Sequence, residues 1–266
     1  MLKLYGIIGL LLVIFSEINF FLKIEPFDKF YFPIIWFGYI LFIDSLAYKT
    51  RGKSLINNAL PKLIGMFIIS APFWKIFEFI NIRGKNWYYI GTEFFGPYAD
   101  LFAFIAFSTV VPAFFVTLSF FITDISIKNI IPKDKISKKV ILFSIIIGLL
   151  SFIFLLLFPK YFFPFKWIFL FLILDPINYY NKRPSLFYAI KRREKIILSI
   201  VMVSLILGFL WEFWNFYASV KWLYTIPFVE FWYFFEMPLL GYLGYIPFGF
   251  TTFSFYYFIE FLFKRA

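Results

Sequence analysis

The chain contains neither cysteine nor histidine among its 266 residues. Without cysteine there are no disulfides or thiolate nucleophiles, and without either residue type the usual zinc sites are excluded. Acid–base chemistry is therefore left to Asp, Glu, Tyr and Lys, and a metal would need oxygen ligands. The sequence has no GxxxxGK[ST] or GxGxxG motif, so nucleotide-driven work is not expected. We predict no cofactor and no metal site.

Charged residues make up only 15% of the chain, whereas 62% of it is hydrophobic and 27% aromatic, with a mean hydropathy of +0.85. Soluble domains carry about 45–50% apolar residues, so lipid is the expected solvent for this excess. The formal charge of +11 falls between apolar runs, which favours membrane topology over nucleic acid as its cause. We expect a membrane lipid or an isoprenoid as partner and no nucleic acid. The sequence leaves the oligomeric state unknown.

Eight apolar stretches are long enough to span a bilayer, because a spanning helix needs about 17–25 residues. They predict an all-α fold, a polytopic membrane helical bundle of about eight transmembrane helices. We interpret the first stretch as an anchor rather than a signal peptide, because no small-residue cleavage site follows it. The stretches lie near residues 2–22, 30–47, 63–82, 98–122, 140–158, 162–179, 196–217 and 238–262.

The basic residues are distributed unequally between the two sides of the predicted bundle. Most lie in loops that share one side, and the positive-inside rule then makes both termini cytoplasmic. We expect a multi-pass protein of the inner (cytoplasmic) membrane of a bacterium or archaeon. The residues on the basic side are Lys3, Lys49, Arg51, Lys53, Lys62, Lys128, Lys133, Lys135, Lys138, Lys139, Lys182, Arg183, Lys191, Arg192, Arg193, Lys195, Lys264 and Arg265.

The second half of the chain repeats features of the first half. Residues 29–55 align without a gap with residues 160–186, and the alignment continues downstream with small shifts. Four spans per copy keep both copies in the same orientation, so the sequence predicts a parallel 4+4 repeat. The first four-helix repeat is residues 1–125, a basic cytoplasmic linker is 126–138, and the second four-helix repeat is 139–266. The aligned pairs include Pro33/Pro164, Trp36/Trp167, Asp44/Asp175, Glu78/Glu212, Asn81/Asn215, Trp87/Trp222 and Tyr89/Tyr224.

Ionisable residues inside spans are costly and therefore mark candidate functional sites. In each copy a glutamate and an asparagine lie three residues apart on one helix face. Two acids, two amides and several indoles would converge at one depth, in a pocket near the non-cytoplasmic surface. The alternative is interhelical hydrogen bonding plus an interfacial aromatic belt. The candidate catalytic residues are Glu212, Glu230 and Glu78, and the candidate substrate-binding residues are Asn81, Asn215, Trp36, Trp167, Trp87, Trp211, Trp214, Trp222, Trp232, Glu236 and Tyr224.

A second candidate site lies at the opposite side of the membrane. Asp44 and Asp175 end their spans near Arg51 and Arg183. The simpler interpretation is local pairing of each aspartate with neighbouring cations. The alternative is a basic cytoplasmic site for a phosphate headgroup, ordered by the aspartates.

The segment before the last span interrupts an aromatic run with two Glu and two Pro. Proline removes helical donors, so residues 224–238 are expected to form a re-entrant or interfacial stretch that is buried in protein or lines a cavity. Residues 211–248, with the sequence WEFWN…KWLYTIPFVEFWYFFEMPLLGYLGYIPF, resemble an uncharacterised family of bacterial multi-spanning proteins. That likeness extends over both halves and implies no activity.

Residues 227–231 also resemble the lycopene cyclase domain of the small membrane type, which carries a Pro-x-Glu-Glu segment followed by aromatics. Pro227 and Glu230 are kept, and Val229 replaces the other Glu. The resemblance implies acid-catalysed chemistry on an isoprenoid. A carboxylic acid in an apolar pocket keeps its proton more readily and can donate it, and indole faces attract positive charge.

Two classes of function remain open from the sequence. One is a protein that binds or modifies a lipid or isoprenoid within the bilayer. The other is a transporter or channel, for which half-helices broken at corresponding points of both copies are expected. The breaks appear unequal in the sequence, which favours the first class.

Overall fold

A computed structural model describes residues 1–263, and its fold is nearly all-α. The last positions, including Lys264 and Arg265 of the predicted basic side and the end of the predicted second repeat, lie outside the described residues. The helices are α1 (Leu4–Leu22), α2 (Tyr31–Arg51), α3 (Leu55–Asn58), α4 (Leu60–Gly84), α5 (Ala99–Phe107), α6 (Val110–Phe121), α7 (Asp124–Asn129), α8 (Lys138–Leu157), α9 (Pro159–Phe162), α10 (Phe169–Tyr180), α11 (Leu186–Arg192), α12 (Ile196–Phe216) and α13 (Tyr245–Phe263).

Eight helical segments in residues 1–263 are long and apolar enough to cross a membrane, as predicted. Three of them contain 3₁₀ turns, at Thr92–Tyr98, Phe163–Trp167 and Leu239–Gly244. The nearly all-α fold with eight membrane-length helices is therefore confirmed. The segments are Leu4–Leu22, Tyr31–Arg51, Leu60–Gly84, Thr92–Phe121, Lys138–Leu157, Pro159–Tyr180, Ile196–Phe216 and Leu239–Phe263.

The chain divides into two compact units. The first unit contains Met1–Glu78, Lys85–Phe121 and Leu207–Leu239, and the second unit contains Phe79–Gly84, Ile122–Ile206 and the residues from Leu240 onward. These units are defined by contacts, whereas the predicted repeats are defined by sequence likeness. The repeat boundaries therefore stay predictions.

In the first unit, α1 and α2 approach each other closely enough to exclude side chains. A Cβ added to Gly9 would lie 2.6 Å from Gly38 O, and a Cβ on Gly38 would lie 2.9 Å from Gly9 O. Small residues allow such backbone contact between helices in a membrane, where packing replaces the hydrophobic effect. In the second unit, a Cβ on Gly148 of α8 would lie 3.0 Å from Phe169 O of α10. Glycine thus sets the helix spacing in each unit.

The fourth candidate span is interrupted between α5 and α6. Thr109 hydrogen-bonds backward to Ala106 O, and α6 begins at Val110. The Ser70 side chain of α4 bridges the interruption, donating to Phe107 O at 2.6 Å and accepting from Val111 N at 3.0 Å. Backbone groups freed at membrane depth need such partners.

Two short ladders complete the first unit. β1 (Trp87–Ile90) pairs antiparallel with β2 (Lys221–Tyr224), with Trp87 opposite Tyr224 and Tyr89 opposite Trp222. β3 (Tyr233–Phe234) pairs with β4 (Met237–Pro238) in a small hairpin. The segment predicted to be re-entrant or interfacial is indeed not helical. Its aromatic side chains are largely exposed, however, so it is not buried in protein as a re-entrant stretch would be.

Candidate functional site

Glu78 lies in the C-terminal part of α4, where one of its carboxyl oxygens accepts hydrogen bonds from three side chains. Trp74 Nε1, one turn earlier on α4, donates to Glu78 Oε1 at 2.8 Å. Trp87 Nε1 donates to the same oxygen at 3.1 Å, and Tyr89 Oη donates at 2.6 Å. Burial first, and then the charge of Glu78, raise the pKa of Tyr89 well above its ordinary value. The phenol therefore keeps its proton and remains a donor.

Glu212 lies in α12 and is fully buried. Tyr224 Oη donates to Glu212 Oε1 at 2.7 Å, and Trp222 Nε1 donates to Tyr224 Oη at 2.7 Å. Asn215, one turn after Glu212, fixes the strand that carries these aromatics. Its side chain donates to Trp222 O at 2.8 Å and accepts from Trp222 N at 2.9 Å.

The β1–β2 ladder connects the two carboxylate networks. Trp87 and Tyr89 project from the same side of β1 because successive strand residues alternate between faces. Their partners Tyr224 and Trp222 lie directly opposite and share that face. β1 therefore supplies two of the three donors of Glu78, and β2 supplies Tyr224, which donates to Glu212.

A cluster of indoles lies beside Glu212 in the first unit. The Trp36 ring is fully buried and lies 5.1 Å from the Trp211 ring and 4.7 Å from the Trp214 ring, centroid to centroid. Trp214 Nε1 donates to Glu17 Oε1 of α1 at 2.8 Å. A third carboxyl group, from the candidate span α1, thus joins the cluster through an indole.

Several predicted site residues are positioned differently from the prediction. Glu230 is exposed, and the Trp232 ring is 77% exposed, so neither is in the buried cluster. Glu236 forms an ion pair with Lys221 at 2.5 Å. Glu230 therefore lacks the buried environment that the prediction of a catalytic acid requires.

Two further predicted residues belong to the second unit. Asn81 is buried there, at 8% exposure. The Trp167 ring packs edge-on against Phe248 at 5.7 Å, and Thr251 Oγ1 donates to Trp167 O.

Three residues of these networks are not among the predicted catalytic or substrate-binding residues. Trp74 and Tyr89 donate to Glu78, and Glu17 accepts from Trp214. The alignment of Tyr89 with Tyr224 was a signal for the first network. No sequence pattern pairs Glu17 with Trp214, because they lie on helices far apart in the chain.

The aspartates of the predicted secondary site bind helix N-termini. Asp44, fully buried, accepts from Leu55 N at 2.8 Å, from Ile56 N at 3.2 Å and from Tyr5 Oη at 2.9 Å. Asp175, also fully buried, accepts from Leu186 N, Phe187 N, Ser185 Oγ and Ser254 Oγ at 2.7–2.9 Å. The partners of both aspartates are therefore amides and hydroxyls, not the neighbouring cations.

The arginines of that site contact other groups. Arg51 Nη1 donates to Ser119 O at 3.0 Å, and the Arg183 guanidinium lies 5.7 Å from the Phe261 ring. Neither hydrogen-bonds to the aspartate of its own predicted pair. A phosphate site ordered directly by Asp44 or Asp175 would therefore need a rearrangement of these caps.

The donor sets limit the chemistry of the site. Within residues 1–263 no group of three or more Asp or Glu side chains is placed to hold a metal ion. Glu78 and Glu212 accept hydrogen bonds from neutral indoles and phenols, which suits polar anchoring inside an aromatic lining. No protein-family model, curated protein or solved structure matches this chain. The likeness to the lycopene cyclase segment stays a prediction from the sequence.

Proposed function

We propose that this is an integral membrane protein that binds a membrane lipid or isoprenoid within the bilayer, through the aromatic and carboxylate cluster of the first unit. The observation that carries the proposal is the β1–β2 ladder, which joins the Glu78 and Glu212 networks. Aromatic faces offer apolar contact to a lipid chain, and carboxyl oxygens offer polar anchoring. Ligand sites are typically apolar with a few convergent polar groups.

Binding is better supported than acid catalysis. A general acid must present a proton to its substrate. Glu78 Oε1 instead accepts from three side chains, and Glu212 Oε1 accepts from Tyr224. An isoprenoid-modifying enzyme would use Glu212, because Glu230 is exposed and Glu78 has its donors in place.

We also propose that the chain is a parallel duplication of a four-helix unit. Asp44 caps α3 and Asp175 caps α11 through aligned backbone amides. Gly9 of α1 lies close to Gly38 O, and Gly148 of α8 lies close to Phe169 O. Gly38 and Phe169 are aligned positions of the predicted repeat. The β1–β2 ladder pairs the same residue types reciprocally: Trp87 lies opposite Tyr224, and Tyr89 lies opposite Trp222, whereas the predicted repeat aligns Trp87 with Trp222 and Tyr89 with Tyr224. These matched details support a duplication, and the basic loops support cytoplasmic termini in an inner membrane.

The proposed function is tested by the lipids that copurify with the protein. The wild type, extracted in mild detergent, should retain a defined lipid or isoprenoid detectable by mass spectrometry. Glu78→Gln and Glu212→Gln should each retain up to about tenfold less, because a hydrogen bond contributes about 0.5–1.5 kcal/mol. Glu230→Gln, at an exposed position, is the control. Size-exclusion chromatography restricts the comparison to folded protein. A wild type that carries no defined lipid contradicts the proposal.

One observation favours a transporter as the second candidate. The helix α6 begins at Val110 and α13 begins at Tyr245, and the predicted repeat aligns these two positions. Each helix follows non-α backbone, at Thr109 and at Leu239–Gly244. Broken helices at corresponding points are typical of transporters built from repeats. Solute uptake into proteoliposomes, abolished by Glu212→Gln while copurifying lipid is unchanged, would favour transport.

A further inference from the structure

We infer that the second unit carries a docking surface for anionic lipid headgroups, formed by residues 130–136, the turn at 181–183 and α11 with the residues that follow it to 195. This basic platform does not depend on the proposed function, because it involves none of the Glu78 or Glu212 networks. The inference rests on its rigidity, its charge and its position at the ends of three spans.

Hydrogen bonds hold the platform in one shape. Ser185 N donates to Ile130 O at 3.1 Å, which ties the loop to the start of α11. Tyr179 Oη donates to Asp134 O at 3.0 Å and accepts from Ile136 N. The cations of this surface are therefore presented by a structured loop.

Asp175 fixes the base of the platform. Its two carboxylate oxygens accept four hydrogen bonds, two from the first turn of α11 and two from serine hydroxyls. A fully buried carboxyl group that accepts four hydrogen bonds is held in one position. The predicted role of Asp175 in ordering a basic site is thus indirect, because it positions the helix and contacts none of the cations.

The exposed charge of the platform is strongly positive. Its acids are Asp134, which forms an ion pair with Arg192 at 3.7 Å, and Glu194, which is half-buried. A cluster of four to eight Lys and Arg next to spanning helices is typical of surfaces that bind anionic lipid. The exposed cations are Lys133, Lys135, Lys182, Lys191, Arg192, Arg193 and Lys195.

Two of the cations occupy positions that glycine would fill at lower cost. Lys182 has φ 53° and Arg193 has φ 55°, both in the left-handed region. Arg193 is the C-cap of α11, where glycine is the commonest residue because it has no Cβ. Both positions therefore present an exposed cation where the backbone conformation itself favours glycine.

The position of the platform selects the bilayer as the source of the anion. α10 ends at Tyr180, α12 begins at Ile196 and α8 begins at Lys138, so short tethers join all the cations to the ends of candidate spans. Such cations lie within the headgroup layer. Phosphate groups fixed in that layer reach them at high local concentration, unlike a dilute soluble phosphate.

Spin-labelled phosphatidylglycerol, in phosphatidylcholine nanodiscs that contain the full chain, measures this preference. The wild type should select labelled phosphatidylglycerol over labelled phosphatidylcholine. Lys182→Gly with Arg193→Gly should reduce that selectivity by about fivefold per cation, since each contributes about 1 kcal/mol near an anionic surface. The same variant should unfold at an equal or higher temperature, because glycine relieves the left-handed backbone. The control is Lys49→Gln with Lys53→Gln, which removes two exposed cations of the first unit.

Three results would overturn the inference. One is unchanged selectivity in the Lys182→Gly and Arg193→Gly variant. Another is an equal loss in the control, which would show a general effect of net charge. The third is competition by millimolar inorganic phosphate that removes the preference, which would identify a soluble anion as the ligand. If the glycine variant fails to fold, Lys133→Gln with Lys195→Gln tests the same surface and should lose selectivity to the same extent.

Discussion

Tyr31 and Tyr39 lie on the same helix and provide a matched pair of buried phenols. Tyr39 Oη and Thr117 Oγ1 share a hydrogen bond of 2.9 Å, whereas Tyr31 Oη has no partner within residues 1–263. Tyr39→Phe should lower the free energy of unfolding by about 1 kcal/mol. Tyr31→Phe should leave it unchanged or raise it, because burying an unpaired hydroxyl is itself costly. Thermal unfolding in detergent compares the two, and a loss at Tyr31 as large as that at Tyr39 would contradict the prediction.

Asp28, in the loop between α1 and α2, provides a pH-dependent contribution to stability. It is 4% exposed, and Ser219 Oγ donates to it at 2.8 Å. Burial alone would raise its pKa, but the Ser219 hydroxyl and two neighbouring ammonium groups outweigh burial and lower the pKa of Asp28. A depressed pKa in the folded state adds stability above the ordinary value of about 4, and this stability is lost as the pH falls through the folded-state pKa.

Asp28→Asn should therefore destabilise the protein at neutral pH by about 1–3 kcal/mol. The difference from the wild type should shrink when the pH is lowered below about 4. Thermal unfolding at several pH values measures it. Glu25→Gln is the control, because the Glu25 side chain is 60% exposed and its pair with Lys29 contributes little. A deficit in Asp28→Asn that persists in acid would assign it to packing.

At the scale of single residues, the sequence identifies Glu78 and Glu212 and some of their partners, such as Trp87 and Tyr224, but not the full set of donors. Glu78 and Glu212 were recognised because intramembrane carboxylates are rare and these two are aligned. The donors of Glu78 and the Glu17–Trp214 bond depend on which helices meet, which one sequence does not specify. Glu230 and Trp232 were misplaced for the same reason, since a run of aromatics does not show which side chains point outward.

At the scale of elements, the glycine contact between α1 and α2 can be tested directly. Gly9→Ala should destabilise the protein by about 1–3 kcal/mol, because its Cβ would meet backbone atoms of α2 and push the helices apart. Gly65→Ala is the control, since an added Cβ would have no heavy atom within 4 Å apart from the adjacent residues and the nearby α4 backbone, and α4 should gain helix propensity. Thermal unfolding measures both variants. An equal response of the two glycines would show that helix spacing does not depend on Gly9.

Helix existence was predictable, because a run of apolar residues of membrane length has few other folds available. The two-stranded ladder was not. β1 has only four residues, and its partner β2 lies in the other half of the chain, so neither segment has enough alternation to predict a strand. The alignment predicts that Trp87 and Trp222 are corresponding residues, but it does not predict that their segments pair as strands.

At the scale of the whole molecule, the orientation of the chain is accessible to labelling. The absence of cysteine makes every introduced cysteine unique. Glu25→Cys, in the α1–α2 loop, should react with an impermeant thiol reagent from outside intact cells, and Lys133→Cys should react only after permeabilisation. The positive-inside rule predicts this result, because it assigns the basic loops to the cytoplasm. Labelling of both positions from the same side would refute the topology.

The β1–β2 ladder also orders events while the chain is being made. A ribosome completes β1 well before β2, so the backbone groups of Trp87–Ile90 lack their β2 partners while the intervening helices are synthesised. An unpaired strand edge is a template for association with other chains. The ladder closes only when Lys221–Tyr224 has followed α12 out of the ribosome. A nascent chain that stalls before residue 221 therefore leaves the edge of β1 unpaired and able to associate with other chains. In the completed chain β2 covers this edge.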